Sequence, residues 1–577
     1  MKKLLLGNAA VARGAYEAGV KVVSSYPGTP STEITENMVQ YDNLHVEWAP
    51  NEKVAAEVAI GASIRGARAM SCMKHVGLNV MADPIFTVSY IGATGGLVFC
   101  VADDPGMHSS QNEQDSRHYA KAAKIPMLEP SDSAECKEFT KAAFKLSEEY
   151  DTPVFVRLST RVSHSQSLVE LCEPEEVALK PYEKNIPKHV MMPAMAKGRH
   201  VVVEERTKKL LALAETDAFN KVENNGKRVG VITSGVAYEY AKEALGDSVN
   251  YLKLGMVYPL PEKLILDFAK DLDTLWCIEE LDPVFEEHIR ALGVTVKGKE
   301  HFSLLGEYSQ NMIREAVLGV ALPSIAPADI PSRPPVMCAG CPHRGTFYVL
   351  KKLGVTVSGD IGCYTLGAVA PLQAVDTTIC MGASVSAAHG MSRAGGEETN
   401  KKLVSVIGDS TFIHSGITGL IDIVYNKGNN TVIILDNSIT GMTGHQDNPT
   451  TGKTIRGEAT KQVDLLALCR AVGVERVRVE DPFDLVGFEA AVKEELAADE
   501  PSVIIAQRPC ALLKGVKYSG RYVIDSDACR GCKKCMKLGC PAISFRNGKA
   551  VIDGNQCNGC SLCTSVCSFG AIRKEEK

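Results

Sequence analysis

Eight of the chain's nineteen cysteines lie close to its C-terminal end, between Cys529 and Cys567. They form a repeat, because one C-x2-C-x2-C triplet recurs at the same spacing. Three thiolates spaced in this way converge on one iron–sulfur cubane, whose fourth ligand is the last cysteine of the opposite half. The spacing therefore predicts two [4Fe–4S] clusters, one held by Cys529, Cys532, Cys535 and Cys567 and the other by Cys557, Cys560, Cys563 and Cys540.

Zinc and disulfides are the alternatives for such a cysteine-rich segment. Zinc ribbons use paired C-x2-C knuckles rather than triplets, and disulfide scaffolds are typical of small secreted chains. The spacing does depart from that of bacterial ferredoxins, since four residues separate Cys535 from Cys540 and Ser568 rather than proline follows Cys567. These departures concern cluster geometry and reduction potential, and two clusters remain the prediction.

The chain has 577 residues, a net charge of −6 and a pI near 6.2, which indicates several domains and no basic surface for nucleic acid. No stretch is long and apolar enough to span a membrane. The N-terminus mimics a signal peptide, but Gly7 and Asn8 interrupt its apolar run, which favours a strand followed by a helix. Because cluster cysteines need a reducing compartment, we expect a cytoplasmic location.

Short β-type runs alternate with helical segments through most of the chain, as is typical of parallel sheets. The predicted fold class is α/β, with three parallel-sheet α/β domains and a C-terminal two-cluster ferredoxin-like α+β domain. Five prolines from Pro323 to Pro335 predict a linker before the third domain. The expected domain bounds are 1–170, 195–320, 336–512 and 520–577.

Two predicted strands of the third domain end in polar residues. One ends at Gly408-Asp409-Ser410 and the next at Asp436-Asn437. The carboxyl ends of parallel strands meet at one edge of a sheet, where α/β folds bind ligands. A carboxylate and an amide oxygen at this edge suit Mg²⁺, which also takes phosphate oxygens. Two ordinary strand ends are the alternative, since Gly-Asp is common in turns.

The same residues resemble the cofactor motif of the thiamine diphosphate enzymes, which begins with Gly-Asp-Gly and ends in asparagine. The resemblance implies that Gly408 and Ser410 lie against the cofactor. It also implies that Asp409, Asn437 and the carbonyl oxygen of Ile439 bind Mg²⁺. Ser410 departs from the family pattern, which has glycine at this position.

Thiamine enzymes also need a glutamate that holds the aminopyrimidine ring in its imino tautomer. In the string WAPNEKVAAEVAIGAS, Glu52 opens a predicted helix, and the resemblance assigns this role to it. A carboxylate favoured at the helix start by the helix dipole is the alternative. We give that structural interpretation to Glu57.

Nearly the whole chain resembles the 2-oxoacid:ferredoxin oxidoreductases and, among them, the large (alpha) subunits of indolepyruvate ferredoxin oxidoreductases. The resemblance is carried by the strings SSYPGTPSTEI, MKHVGLNVMADP, CAGCPHR, GDIGCYTLG and GDSTFIHSGI. It implies the thiamine diphosphate-binding fold, with thiamine diphosphate and Mg²⁺ as cofactors. It also implies oxidative decarboxylation of an aryl pyruvate to arylacetyl-CoA and CO2, with coenzyme A as acyl acceptor and ferredoxin as electron acceptor.

The resemblance further implies that Thr29 contacts the substrate. Lys74 and His75, in a loop after a predicted strand, could meet the substrate carboxylate. An ordinary turn before a helix is the alternative for Thr29, and a structural histidine is the alternative for His75. We interpret Asp103 and Asp104 as solvent-exposed loop residues.

The resemblance also bears on assembly. Related single-chain enzymes carry a further domain, for which this sequence leaves no stretch, so a smaller beta subunit and an alpha2beta2 heterotetramer are expected. Two other functions stay open. The same chemistry could act on another 2-oxoacid such as pyruvate or 2-oxoglutarate, or the chain could be a non-catalytic electron-transfer subunit.

Four more cysteines match a pattern of pyruvate:ferredoxin oxidoreductases, in which a cluster lies beside thiamine. The match implies a third [4Fe–4S] cluster on Cys338, Cys341, Cys363 and Cys510. A zinc knuckle and buried apolar thiols are the alternatives. We interpret the remaining cysteines as small buried side chains: Cys72, Cys100, Cys136, Cys172, Cys277, Cys380 and Cys469.

Overall fold

The computed structural model describes residues 1–323, 331, 334–518 and 520–575. The chain divides into two compact units, Met1–Pro327 and Ala328–Lys577. Most of the proline linker predicted from the sequence lies outside the described residues. Within the described ranges, no helix has the length and apolar character needed to cross a membrane.

The first unit begins with a strand and then a helix, which confirms the prediction for the N-terminus. Its described strands are β1 (Lys2–Leu6), β2 (Val22–Ser25), β3 (His45–Trp48), β4 (Ala69–Lys74), β5 (Leu97–Asp103), β6 (Met127–Leu128), β7 (Val154–Ser159), β8 (Gln166–Glu170), β9 (Lys221–Glu223), β10 (Val229–Ser234), β11 (Asn250–Leu254), β12 (Met256–Tyr258) and β13 (Thr274–Ile278). Its helices are α1 (Gly7–Glu17), α2 (Thr32–Met38), α3 (Glu52–Ile64), α4 (His75–Val80), α5 (Ala82–Ile91), α6 (Arg117–Ala123), α7 (Ser133–Tyr150), α8 (Thr160–His164), α9 (Ile186–His189), α10 (Pro193–Ala214), α11 (Gly235–Leu245), α12 (Glu262–Ala269), α13 (Val284–Ala291) and α14 (Gln310–Leu318).

Two larger sheets form the first unit. The seven-stranded sheet has the order β12-β6-β7-β5-β4-β2-β3, and the four-stranded sheet has the order β13-β10-β11-β9. Their strands are parallel except β12 and β9, which pair antiparallel with β6 and β11 at sheet edges. Every residue of β4, β5 and β7 is buried, as expected for parallel strands covered on both faces. Strand β12 joins the larger sheet, although its neighbours in sequence belong to the smaller one.

A network of buried charges connects segments of the first unit that are far apart in sequence. The Arg117 guanidinium donates hydrogen bonds to Asp115 at 2.5 Å and to Glu279 at 2.6 Å, and its side chain is 1 % exposed. The Arg157 guanidinium donates to Asp103 at 2.7 Å. Arginine forks therefore hold the end of β5 and the segment after β13 in fixed positions.

The interpretation of Asp103 and Asp104 as exposed loop residues is wrong. Both side chains are buried, because Asp103 is the last residue of β5 and pairs with Arg157. Asp104 accepts hydrogen bonds from the hydroxyl groups of Ser110 at 2.7 Å and Thr160 at 2.6 Å. These carboxylates orient the loop that follows β5.

The second unit contains a five-stranded parallel sheet in the order β14-β15-β16-β18-β17 and two antiparallel ribbons, β19-β22 and β20-β21. The strands are β14 (Thr356–Ser358), β15 (Leu403–Gly408), β16 (Thr431–Asp436), β17 (Arg476–Glu480), β18 (Ser502–Gln507), β19 (Tyr522–Ile524), β20 (Ile543–Arg546), β21 (Lys549–Ile552) and β22 (Ile572–Lys574). The α-helices are α15 (His343–Leu353), α16 (Ala383–Asn400), α17 (Asp409–Thr411), α18 (Ile417–Tyr425), α19 (Leu465–Ala471) and α20 (Leu485–Leu496). The predicted α/β class with parallel sheets and a C-terminal α+β region is confirmed.

The cysteine-rich tail shares its core with the parallel sheet of the second unit. Phe347 of α15, Val406 of β15 and Phe488 of α20 belong to the same buried cluster as Leu538 and Ile543 of the tail. Burial of this apolar surface holds the tail against the sheet, at roughly 25 cal/mol per Å² removed from water. The tail is therefore a fixed part of the second unit.

Replacement of Arg117 by methionine tests the importance of the buried charges. Arg117→Met should lower the free energy of unfolding by about 3–5 kcal/mol, because two buried carboxylates lose their cation. Arg228→Met, which removes an exposed ion pair with Asp273, is the control and should leave stability nearly unchanged. Equal effects of both variants on denaturant unfolding, followed by circular dichroism, would contradict this account.

Candidate functional site

Glu52 opens α3, as the sequence predicts, and its side chain is buried. The Asn51 side chain caps this helix by accepting a hydrogen bond from the backbone N–H of Val54 at 2.9 Å. Gly77 of α4 lies against the carboxyl group, because a Cβ atom at Gly77 would stand 2.6 Å from Glu52 Oε1. Close approach of α4 to the glutamate thus requires glycine at this position.

Lys74 lies near this glutamate, and Ser109 connects Lys74 to the Thr29 loop. Burial lowers the pKa of Lys74 to about 8, although the carboxylates of Asp104 and Glu52 act in the opposite direction. The Lys74 ammonium donates to the Ser109 carbonyl at 2.8 Å, and the Ser109 hydroxyl donates to the Thr29 carbonyl at 3.0 Å. The structure therefore brings three predicted groups together: the glutamate, the lysine and the Thr29 loop.

His75 does not lie in a loop, so that prediction is wrong. Lys74 ends β4 and His75 begins α4 directly, with no residues between strand and helix. Its Nε2 lies 3.1 Å from the Asn112 carbonyl oxygen, whereas its buried Nδ1 has no partner among the described residues. Burial lowers the pKa of His75. A neutral ring that donates from Nε2 leaves Nδ1 as a bare acceptor.

The two polar strand ends predicted in the second unit are confirmed. Parallel neighbours β15 and β16 end at Gly408 and Asp436. One terminal atom of the Asn437 side-chain amide lies 3.2 Å from Asp409 Oδ1 and 2.8 Å from the Ile439 carbonyl oxygen. If this atom is the nitrogen, it donates a hydrogen bond to each of the two oxygens. If it is the oxygen, three oxygen atoms face one another. Three convergent oxygens are a ligand set that suits Mg²⁺.

The Asp409 carboxylate is buried and forms no ion pair within the described ranges. The Thr450 hydroxyl donates to its Oδ2 at 2.7 Å, and the Asn448 amide lies 3.5 Å from the same oxygen. Burial, with a contribution from Asp436, raises the pKa of Asp409 to about 7. A bound cation would hold this carboxylate in its charged form.

Three more residues lie at this edge of the sheet: Gly408 and Ser410 of the predicted motif, and one residue that the sequence analysis did not single out. A Cβ atom at Gly408 would stand 2.6 Å from the Tyr364 ring, and Ser410 Oγ accepts a hydrogen bond from Thr440 at 3.0 Å. The missed residue is Asp360, whose buried carboxylate accepts backbone N–H groups of Gly382 and Ser384, each at 2.9 Å. Its signal was present in the string GDIGCYTLG. Asp360 fixes the start of α16 at this edge.

The four cysteines of the predicted third cluster lie together, and we call them the thiamine-side set. Burial and the neighbouring Cys510 and Cys338 thiols raise the pKa of Cys363 to about 11. Burial raises the pKa of Cys341 to about 12, with contributions from Cys338 and Cys363. Within the described residues, no three His, Cys, Asp or Glu side chains surround a position for a single metal ion.

The thiamine-side set adjoins the Asp409 edge. The backbone N–H of Cys510 donates to the Asn437 carbonyl oxygen at 2.9 Å. A Cβ atom at Gly441 would stand 3.3 Å from Cys363 Sγ and 3.8 Å from Asn437 Nδ2. The predicted magnesium ligands and these cysteines are therefore direct neighbours.

The tail cysteines form two groups whose membership matches the predicted ligand sets. The inner set lines one cavity and consists of Cys540, Cys557, Cys560 and Cys563. The outer set lines a second cavity and consists of Cys529, Cys532, Cys535 and Cys567. Each set takes a cysteine from the opposite half of the repeat, as two-cluster spacing requires.

The three sets all lie within the second unit. Ala339 and Gly340, which separate Cys338 from Cys341, line the inner-set cavity. The Asn558 side chain, in the inner-set loop, donates to the Ala339 carbonyl at 3.0 Å. In the outer set Cys532 is exposed and Cys567 is half-buried, whereas Cys529 and Cys535 are buried. The thiamine-side set therefore adjoins both the Asp409 edge and the inner set, and the outer set belongs to the same tail repeat as the inner set.

The interpretation of the remaining cysteines as buried side chains is wrong for two of the seven. Cys172 and Cys380 are exposed. Cys172 follows strand β8, and Cys380 lies in the connection before α16, so both lie outside the regular elements.

Three family descriptions match separate parts of the chain. Residues 13–229 match "Pyruvate flavodoxin/ferredoxin oxidoreductase, thiamine diP-bdg". Residues 360–506 match "Thiamine pyrophosphate enzyme, C-terminal TPP binding domain", and residues 521–568 match "4Fe-4S dicluster domain". The first match covers the Glu52 site, the second covers the Asp409 edge and the third covers the tail.

Sequence similarity to known proteins extends over nearly the full length of the chain. The chain is 42 % identical to the indolepyruvate oxidoreductase subunit IorA of Archaeoglobus fulgidus, over 94 % of this chain and 93 % of the relative. It is 40 % identical to the subunit IorA of Pyrococcus horikoshii, over 99 % of this chain and 97 % of that one. The chain belongs to the indolepyruvate oxidoreductase subunit IorA family. The resemblance identified from sequence motifs is confirmed.

Membership of the IorA family identifies the class of reaction and the cofactors. The chain is part of a thiamine diphosphate-dependent 2-oxoacid:ferredoxin oxidoreductase. Its cofactors include thiamine diphosphate and the [4Fe–4S] clusters of the dicluster tail. The eight cysteines of the inner and outer sets all lie within the segment that matches the dicluster domain.

Removal of the Asp409 carboxylate tests the role of the sheet edge. Asp409→Ala should abolish retention of thiamine diphosphate, because Asn437 and Ile439 lose the charged member of the oxygen set, while cluster absorbance remains. Asp422→Ala, which changes an exposed carboxylate of α18, is the control. Thiamine released by acid extraction measures the effect, and wild-type content in Asp409→Ala would refute the assignment.

A methyl group added at Gly77 tests the contact with Glu52. Gly77→Ala should reduce turnover by at least about tenfold, because its Cβ displaces the glutamate and a misplaced proton-transfer group loses much of its contribution. Gly61→Ala is the matched control, since a Cβ atom there meets nothing within 4 Å. Steady-state rates of the two variants should differ; similar rates would show that the contact is unimportant.

Proposed function

We propose that this chain is the subunit that oxidatively decarboxylates aryl pyruvates such as indolepyruvate and passes the electrons to ferredoxin. One observation carries the proposal: the second unit contains the Asp409 edge and three cysteine sets. The aryl pyruvate class is supported by the names of the IorA relatives. In the net reaction, a 2-oxoacid anion and the thiol of coenzyme A yield an acyl-CoA, CO2, a proton and two electrons, and two ferredoxins take one electron each.

The diphosphate end of the cofactor would be held through Mg²⁺ by Asp409, Asn437 and the Ile439 carbonyl oxygen. The Asp409 carboxylate and the Ile439 carbonyl oxygen converge on the Asn437 amide, whose oxygen could complete the ligand set, and this supports the assignment. Gly408 leaves the backbone open to a diphosphate, and Ser410 lies beside it with its hydroxyl group bound to Thr440. When bound, thiamine diphosphate supplies the carbon nucleophile and the electron sink for decarboxylation.

Proton transfer and substrate binding would use residues of the first unit. Glu52 would hold a proton at the aminopyrimidine ring, and its fixed position against Gly77 supports that role. Lys74 offers a buried cation to the substrate carboxylate, and Thr29 lies in the loop that contacts Ser109. His75 would present Nδ1 to the substrate as a hydrogen-bond acceptor.

A third [4Fe–4S] cluster would be held by the thiamine-side set. The contact between Cys510 and Asn437 and the proximity of Cys363 to Gly441 support this assignment. Electrons must leave the site singly, so an acceptor next to the oxidised carbon is needed. A cluster in this position would pass them to the inner set and then to the outer set.

The assembly would include a smaller beta subunit, in an alpha2beta2 heterotetramer, with coenzyme A bound to the complete enzyme. The subunit designation of the relatives supports a partner chain. Oxygen-sensitive clusters support a reducing, cytoplasmic location. The alternatives are another 2-oxoacid substrate, such as pyruvate or 2-oxoglutarate, and a chain without turnover.

Comparison of substrates tests the proposed function. The complete enzyme should reduce ferredoxin faster with indolepyruvate and phenylpyruvate than with pyruvate or 2-oxoglutarate, as measured by kcat/KM. Glu52→Gln should bind the cofactor but lose turnover by at least about a hundredfold, as expected for loss of a proton-transfer group. A higher kcat/KM for pyruvate would overturn the substrate class, and unchanged turnover in Glu52→Gln would overturn its role.

Iron analysis tests the third cluster. The protein should contain about 12 Fe per chain, since three cubanes hold four iron atoms each. Cys510→Ser should lower the value towards about 8 Fe, whereas Cys469→Ser, at a buried cysteine outside the three sets, should not. About 8 Fe in the fully loaded wild type would contradict the assignment.

A further inference from the structure

The two halves of the tail repeat differ in charge. The first loop reads CRGCKKC and the second reads CNGCSLC, so Arg530, Lys533 and Lys534 stand where the second loop has Asn558, Ser561 and Leu562. Six Lys or Arg residues and no Asp or Glu occur from Ala528 to Lys549. The whole chain has a net charge of −6, so this positive segment is an exception to its composition.

The positive residues lie at the surface around the outer set. Arg530, Lys533, Lys534 and Lys537 are exposed, whereas Leu562 of the second loop is only 3 % exposed. Arg530, Lys533 and Lys534 line the outer-set cavity together with Phe569, whose side chain is 49 % exposed. We call these five residues, Arg530, Lys533, Lys534, Lys537 and Phe569, the outer-set face.

Within the described residues, the basic side chains of the outer-set face form no ion pairs with carboxylates. The Lys534 ammonium donates only to the Ser568 hydroxyl at 2.9 Å, and the Lys533 ammonium lies 4.5 Å from the centre of the Phe545 ring. The face therefore keeps a positive potential and an exposed aromatic ring next to a cluster site.

We propose that the outer-set face is the docking surface for the electron carrier and that the carrier is an acidic ferredoxin. Positive potential around an exposed site steers an acidic partner and orients it. Phe569 offers the apolar centre that protein interfaces use. In each encounter one electron leaves the reduced outer-set cluster and reduces one oxidised ferredoxin. The inference rests on the proposed function, in which electrons reach the outer set.

Charge reversal on the outer-set face tests the docking proposal. In the complete enzyme, Arg530→Glu, Lys533→Glu and Lys534→Glu together should lower the rate constant for reduction of an acidic ferredoxin at least about tenfold at low salt. The decrease of this rate with added salt should also disappear, since it reflects the attraction that was removed. Reduction of methyl viologen, a dication that the reversed charges would attract, should not fall in the same variant. Unchanged ferredoxin rates and salt dependence would overturn the proposal.

Two further variants keep the docking test decisive. The corresponding triple glutamine variant serves if the glutamates impair cluster content, and it should give an intermediate ferredoxin rate; a wild-type rate would overturn the proposal. Lys401→Glu with Lys402→Glu reverses exposed charges elsewhere on the second unit and should have no effect.

Absence of aryl pyruvate-dependent viologen reduction by the wild type would count against the proposed function instead. Loss of the partner subunit from both triple variants would assign the face to that subunit and overturn ferredoxin docking.

A separate observation concerns Arg344, which lies between the thiamine-side and inner sets. Its side chain is 2 % exposed, and its guanidinium donates to the carbonyl oxygens of Leu538 at 2.7 Å, Met337 at 2.7 Å and Cys338 at 2.9 Å. Its Nε is buried without a hydrogen-bond partner among the described residues. The same side chain lines the inner-set cavity.

Arg344 has no carboxylate partner within the described ranges. A buried guanidinium without a counter-charge costs several kcal/mol, so an anionic group is expected beside it. Thiolate-bound clusters are anionic, and the cysteine sets that would hold them lie on both sides of this residue. Its hydrogen bonds meanwhile connect the tail, through Leu538, to the segment that carries Cys338.

We infer that Arg344 is a positioning residue that holds the inner set next to the thiamine-side set and raises the reduction potential of the inner-set cluster. A positive charge stabilises the more negative, reduced form of a cluster, so its removal makes reduction harder. Arg344 would have this effect without itself being a ligand of a cluster. It requires clusters in the tail but does not depend on the identity of the 2-oxoacid.

Redox titration of Arg344 variants, followed by electron paramagnetic resonance, tests this role. In Arg344→Gln, the ratio of reduced to oxidised inner-set cluster at a fixed potential should fall about tenfold, which is 59 mV for one electron. Arg344→Lys keeps the charge and should restore the wild-type potential. Equal potentials in wild type and Arg344→Gln at full iron content would overturn the inference. If Arg344→Gln loses iron, retention of iron by Arg344→Lys supports the role of the charge, and loss from both variants refutes it.

Discussion

The carboxyl edge of one parallel sheet determines where the functional groups of the second unit lie. Strand β15 leads to Asp409, β16 leads to Asn437 and β18 leads to Cys510. Because β16 pairs in parallel with both β15 and β18, these three residues meet at one edge although they are far apart in sequence. The same backbone register would place the proposed diphosphate site next to the proposed third cluster.

Among the described residues, two buried charged groups of the second unit lack the ion pairs that neutralise the buried arginines Arg117 and Arg157 of the first unit. Arg117 and Arg157 of the first unit are buried with carboxylates that neutralise them. In the second unit, Asp409 and Arg344 are equally buried but have no ion pair within the described ranges. Isolated buried charges are costly in a folded protein. A cation at Asp409 and anionic clusters beside Arg344 would supply the missing partners.

Local patterns predicted much of this structure, and long-range contacts explain the rest. The tail repeat and the two strand ends could be predicted because spacing and strand periodicity are properties of short segments. The burial of Asp103 could not be predicted, because it depends on the remote residue Arg157. The pairing of β12 with β6 of the larger sheet could not be predicted either, because β6 is remote in sequence. The sequence did not indicate a role for Arg344 for the same reason, because the hydrogen bond to the Leu538 carbonyl joins segments that are far apart along the chain.

Electrons from the 2-oxoacid should enter the clusters that the cysteine sets of the second unit would hold. Electron paramagnetic resonance of the complete enzyme, frozen after anaerobic mixing with indolepyruvate and coenzyme A without ferredoxin, measures this transfer. Signals of reduced [4Fe–4S] clusters should appear with substrate in the wild type and be absent in Glu52→Gln. Clusters that stay oxidised with substrate, yet are reduced by dithionite, would contradict this expectation.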